Sequence, residues 1–131
     1  MNNKIKKLLK KKNKSKILCL TAYSKNFAEE VDKYVDITLV GDSLGSVLYN
    51  YSSTRIVTLT EMINHSKSVR LGVKKSLMVV DMPFKTYTTK NTALKNAKKI
   101  LKETKCDAVK LEGGKKIIKQ VECLIKNKIP V

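Results

Sequence analysis

The chain has no tryptophan, a single histidine, two prolines and only two arginines among its 28 basic residues. Each shortage excludes something. A lone His65 leaves no imidazole cluster on which to build a zinc site. Only Arg55 and Arg70 can supply guanidinium forks, and five tyrosines and two phenylalanines are few for base stacking. Both observations argue against a nucleic-acid reader. The cysteines, Cys19, Cys106 and Cys123, are odd in number and lack C-x-x-C spacing. Cys19 and Cys123 read as small, mostly buried side chains, and a reducing compartment is expected. No apolar run approaches the ~20 residues of a membrane span. The N-terminus lacks the apolar stretch and cleavage site of a secretion signal, so a soluble, cytoplasmic protein is expected.

Lysine is what the chain has in excess. The formal net charge is +17, and residues 1–16 hold eight lysines without one acid. The remaining 115 residues carry 20 basic and 11 acidic groups. Spread in this way, lysines read as the solvated outer faces of helices rather than as one binding patch.

Hydrophobic patterning alternates between two periods. Unbroken apolar runs at residues 17–22, 37–41, 77–81 and 108–112 suit parallel strands covered on both faces, with 129–131 opening a fifth. Between them, Phe27, Ala28, Val31, Tyr34 and Val35 repeat at helical spacing. So do Ala93, Leu94, Ala97, Ile100 and Leu101, then Ile117, Ile118, Val121, Leu124 and Ile125, with a looser set from Leu59 to Val69. Asn91 and either Thr58 or Thr60 are candidate helix caps. A short N-terminal helix is expected at about residues 4–12, and residues 44–57 read as a long loop. No linker divides residues 1–131, which form one domain. A doubly wound nucleotide binder needs a glycine-rich turn after its first strand. Here that turn is Thr21-Ala22-Tyr23-Ser24-Lys25, so an eight-fold barrel is favoured. Such a barrel typically takes about 250 residues, and the expectation is its first four βα units and the start of strand five.

Three of the apolar runs end on an acid: Asp42, Asp81 and Glu112. Carboxylates collected at the carboxyl ends of neighbouring parallel strands repel one another unless a cation joins them. Oxygen-only ligation then points to a hard ion such as Mg²⁺. Gly41 and Gly45 flank Asp42 and Ser43, giving a tight turn and close ligand approach. Lys110 and Glu112, two apart, share a strand face. Thr86 and Tyr87 are placed to line the mouth of such a site.

The strings Leu20-Thr21-Ala22-Tyr23, Leu39 to Gly45, Val57 to Met62, Asp81-Met82-Pro83-Phe84 and Val109 to Gly114 together resemble the ketopantoate hydroxymethyltransferase family. That resemblance implies a (β/α)₈ TIM barrel of the phosphoenolpyruvate/pyruvate type, dependent on Mg²⁺ and assembled into a homo-oligomer, a decamer in the family. It implies hydroxymethyl transfer from 5,10-methylenetetrahydrofolate to 3-methyl-2-oxobutanoate, through a Mg-stabilised enolate, giving 2-dehydropantoate for pantothenate biosynthesis. By the same resemblance Asp42, Asp81 and Glu112 hold the metal, while Asp42, Ser43, Asp81 and Lys110 hold the oxo acid. The family's general base, a glutamate, falls beyond Val131, so no catalytic base is expected in this chain. The partners implied are the small oxo acid and folate, with no membrane. Two other classes stay open at this point: a half barrel that only binds or assembles, and a basic nucleic-acid module resting on charge alone.

Overall fold

The computed structural model describes residues 2–131. Four strands, β1 (Cys19–Thr21), β2 (Ile37–Val40), β3 (Leu77–Asp81) and β4 (Ala108–Lys110), form one sheet in the order 1-2-3-4. Every neighbouring pair is parallel. Parallel neighbours require long crossovers, which the helices supply: α2 (Lys25–Val31), α3 (Leu44–Tyr49), α4 (Leu59–Gly72) and α5 (Lys90–Thr104). The strand order never reverses, so the sheet lacks the switch point at which doubly wound folds bind nucleotides.

Register sorts the strand residues by face. Thr38, Val40, Met78, Val80 and Val109 are buried, and the four apolar ones join Met62, Val69 and Ile100 from the helices in one core. The opposite face carries Cys19, Ile37, Leu39, Val79, Asp81 and Lys110, and is only partly covered. Helix α4 packs on α2, β2 and β3 as well as on α5, while α6 (Ile118–Lys126) lies on α5. The N-terminal helix α1 (Asn3–Lys11) is tied to the amino-terminal end of the sheet. Lys4 Nζ donates to the Ser76 carbonyl at 2.8 Å, and Lys11 pairs with Asp36 at 2.6 Å.

Several expectations change. The first run is not a buried strand. Leu18 and Leu20 are more than half exposed and Cys19 is exposed, because β1 is the outer strand of the sheet and β2 is its strand partner. Cys123 is half-buried rather than buried; Cys106 is buried. Phe27, Tyr34, Ile118 and Ile125 point outward, so two of the apolar stripes are wider than the surface they cover. Residues 44–57 are not one loop, since they contain α3 and a 3₁₀ turn at Thr54–Ile56. Only Leu44 and Gly45 of α3 are buried, too few to leave a periodic stripe. Thr89, not Asn91, caps α5, and Thr58 caps α4 with Glu61 completing a reciprocal pair of bonds. Residues 129–131 form no strand, although the Val109 N–H donates to the Pro130 carbonyl at 3.1 Å alongside β4.

Candidate functional site

Strand register builds the site. Asp81 and Lys110 are direct partners at the carboxyl ends of β3 and β4, and Lys110 Nζ lies 2.9 Å from Asp81 Oδ1. Two residues on, Glu112 Oε1 accepts from the same ammonium at 3.1 Å. From the neighbouring strand end, the Asp42 N–H donates to Asp81 Oδ2 at 3.2 Å. Asp42, Asp81, Lys110 and Glu112 thus border one cavity of about 310 Å³. Tyr87 lines it as expected and its hydroxyl accepts from the Glu112 N–H at 3.3 Å. Thr86 instead turns its hydroxyl back to the Pro83 carbonyl.

Ser43 stands beside this cavity rather than in its lining. Its Oγ is 2.8 Å from the Tyr23 hydroxyl. Gly41 makes room for it: a Cβ there would come within 2.8 Å of that Oγ. Neither Gly41 nor Gly45 has a positive φ, so their service is space rather than an unusual turn. Tyr23 is itself pinned by His65, whose Nδ1 lies 2.7 Å from the Tyr23 carbonyl and whose Nε2 lies 2.7 Å from the Tyr49 hydroxyl. His65 is therefore a half-buried bracket between α4, α3 and the β1 loop.

Burial sets the electrostatics. It pushes the Asp81 carboxyl above the ordinary aspartate value, outweighing the pull of Lys110 and of the Asp42 N–H. For Lys110 burial works the other way, yet Asp81 and Glu112 outweigh it and raise its pKa. Burial, then the charge of Asp81, raise the Cys19 thiol on the same face.

The donor set can be tested against a divalent cation. Asp81 Oδ1 is buried, and among the described residues the one group that reaches it is the Lys110 ammonium at 2.9 Å. A buried carboxylate oxygen with a single cationic neighbour, in a cavity lined by two further carboxylates, has the oxygen chemistry that a hard ion takes. Among the described residues, however, no three acidic, histidine or cysteine side chains close around a single point. Lys110 stands between Asp81 and Glu112. The donor chemistry fits; the ligands are gathered in one cavity without being clustered.

Sequence reasoning missed Thr54, Arg55, Met82, Phe84 and Gly113, which complete the lining. Arg55 sits 4.7 Å over the centroid of the Phe84 ring. The rarity of arginine in a lysine-rich chain was the available signal for it.

A family model described as Ketopantoate hydroxymethyltransferase matches residues 2–131. Among curated relatives, the 3-methyl-2-oxobutanoate hydroxymethyltransferase of Pelagibacter ubique is 67% identical over 131 residues, all of this chain and 51% of that protein. The Rhizobium etli protein of the same name is 52% identical over 116 residues, 88% of this chain and 42% of its own length. That of Anaplasma marginale (strain St. Maries) is 50% identical over 121 residues, 92% and 44% respectively. The chain spans about half the length of the curated relatives it matches.

Proposed function

The chain belongs to the ketopantoate hydroxymethyltransferase family, and from that premise we propose that its cavity binds 3-methyl-2-oxobutanoate for hydroxymethyl transfer from 5,10-methylenetetrahydrofolate, giving 2-dehydropantoate. The observation that supports this best is the Asp81–Lys110–Glu112 row, joined by the Asp42 N–H, at the carboxyl ends of sequential parallel strands. Barrel enzymes keep their chemistry at that end. In this reading residues 1–131 are one domain, the first four βα units of a (β/α)₈ barrel of the phosphoenolpyruvate/pyruvate type. The protein works in the cytoplasm within a homo-oligomer.

Asp42, Asp81 and Glu112 would hold Mg²⁺. A bound Mg²⁺ would supply Lewis acidity at the keto oxygen, making the adjacent C3–H bond more acidic. Lys110 and Ser43 would donate to oxygens of the oxo acid. Lys110 would also stabilise negative charge as it develops on those oxygens, from a position fixed by strand register rather than by solvent. Tyr23 and His65 keep the Ser43 hydroxyl in place, and Asp42 uses its N–H to orient Asp81. Proton removal from C3 is assigned to none of these groups.

Thermal unfolding with Mg²⁺ and 3-methyl-2-oxobutanoate tests the reading. A ligand at a hundred times its Kd stabilises by about 2.7 kcal/mol. The expected result is a rise in Tm that requires both additives together. No rise at millimolar concentrations of both would contradict the assignment.

A further inference from the structure

We propose that Arg55 is a specificity-determining residue of this cavity, binding the carboxylate of the small oxo acid from the mouth and so selecting acids over neutral ketones. The proposal rests on the oxo-acid reading above. Its first support is geometric. The 3₁₀ turn Thr54–Ile56 sets Arg55 on the cavity wall, and the residue that follows the turn, Val57, is buried against the core. The guanidinium lies over the ring of Phe84, which follows β3 by three residues and lines the same cavity. That cation–π contact favours one placement of a side chain that would otherwise sample many rotamers.

The second support is an unused donor set. Among the described residues Arg55 makes no ion pair, and none of its five guanidinium N–H groups donates a hydrogen bond. Arg70, the other arginine, is spent on structure: it donates to the carbonyls of Val73 and Lys105 and pairs with Asp107 at 3.7 Å. A planar fork held over a ring at a cavity mouth, with no protein acceptor, matches the planar geometry of a carboxylate.

The third support is charge. Three carboxylates, Asp42, Asp81 and Glu112, face a single cation, Lys110, so the floor of the cavity repels an anionic substrate. One divalent ion brings that group to neutrality and no further. Arg55 makes the loaded cavity net positive, the sign a monoanion requires. Lys85 also approaches the Phe84 ring, at 5.7 Å, but it does not line this cavity.

Isothermal titration in the presence of Mg²⁺ separates the outcomes. The probes are 3-methyl-2-oxobutanoate, its uncharged amide and tetrahydrofolate, each run against the unchanged chain, Arg55→Leu and Arg55→Lys. Arg55→Leu is expected to weaken the acid about tenfold, Arg55→Lys about threefold, and neither variant to change the amide more than twofold. Arg55 is exposed, so both variants should unfold at the same temperature as the unchanged chain. Acid binding that survives Arg55→Leu overturns the proposal and leaves the function reading standing. Equal losses for acid and amide overturn it as well, since charge would not be what is read. A loss confined to tetrahydrofolate would assign the guanidinium to the folate carboxylates and overturn it too. No acid binding by the unchanged chain would overturn the function reading and this proposal together.

Discussion

Asp32 and Asp81 are both buried aspartates, yet their surroundings push them in opposite directions. Burial raises the Asp32 carboxyl, but four donors outweigh it: the Ser76 hydroxyl and the N–H groups of Ser76, Lys75 and Lys74, all at 2.7–3.1 Å. The net shift is downward. A carboxylate with a depressed folded pKa contributes stability above its unfolded value of about 3.9, and that stability is lost as pH falls through the lower folded value. Asp32→Asn is therefore expected to cost about 2–3 kcal/mol at pH 7 and to flatten the loss of stability below about pH 4, as followed by urea unfolding across pH. For Asp81 the sign reverses, since burial with too few donors disfavours its charge. Without added metal, Asp81→Asn should leave the chain as stable or slightly more stable at pH 7, within about 1 kcal/mol. A clear destabilisation would show that Asp81 serves the fold rather than a ligand. The sequence displayed Asp81, Lys110 and Glu112 because an apolar run that ends on a charge is visible locally. It could not display the Phe84–Arg55 contact, because those residues come from different loops.

Elements were legible where one face repeats over several turns, as in α4 and α5. They were hidden where burial is brief, as in α3; β1 was legible as a strand, and only its exposure was not. The packing of α4 against α2 turns on one residue. A Cβ at Gly72 would lie 2.7 Å from the Glu29 nitrogen and closer still to the Lys25 carbonyl. Both are backbone atoms and cannot rotate away. Gly72→Ala should thus destabilise by roughly 1–3 kcal/mol, despite the usual gain from removing a helical glycine. The Thr58–Glu61 capping pair gives a second check at this scale. The Glu61 N–H donates to Thr58 Oγ1 at 3.2 Å, and Glu61 Oε2 accepts from the Thr58 N–H at 2.6 Å. Thr58→Ala should cost about 1 kcal/mol, measured as a lower denaturation midpoint with unchanged slope.

For the whole molecule, exposed apolar side chains lie at both ends of the sheet as well as on helices and a turn between them, as at Tyr34, Val47, Leu48 and Leu71. Ile17, Leu18 and Leu20 are exposed at the β1 end, and Ile118, Ile125 and Val131 at the other. Exposed apolar surface of this kind favours association, whereas a net charge of +17 opposes it at long range. Salt screens the second effect and not the first. Sedimentation velocity is therefore expected to find species larger than 14.8 kDa, increasing between 20 and about 300 mM salt. Leu20→Lys should shift them toward the monomer. A monomer at every salt concentration would contradict the oligomeric reading. Which residues are exposed could not be read from the linear pattern, because an apolar strand on the outside of a sheet has the same sequence as one inside it.

The account depends on Asp42, Asp81 and Glu112 serving one divalent cation. Titration with Mn²⁺ followed by electron paramagnetic resonance measures that directly, since bound ions leave the free-ion signal. The expected result is about one Mn²⁺ per chain, displaced by Mg²⁺, lost in Asp81→Asn and kept in Asp36→Asn. Equal retention of Mn²⁺ by the Asp81→Asn variant, or no binding by the unchanged chain, would contradict it.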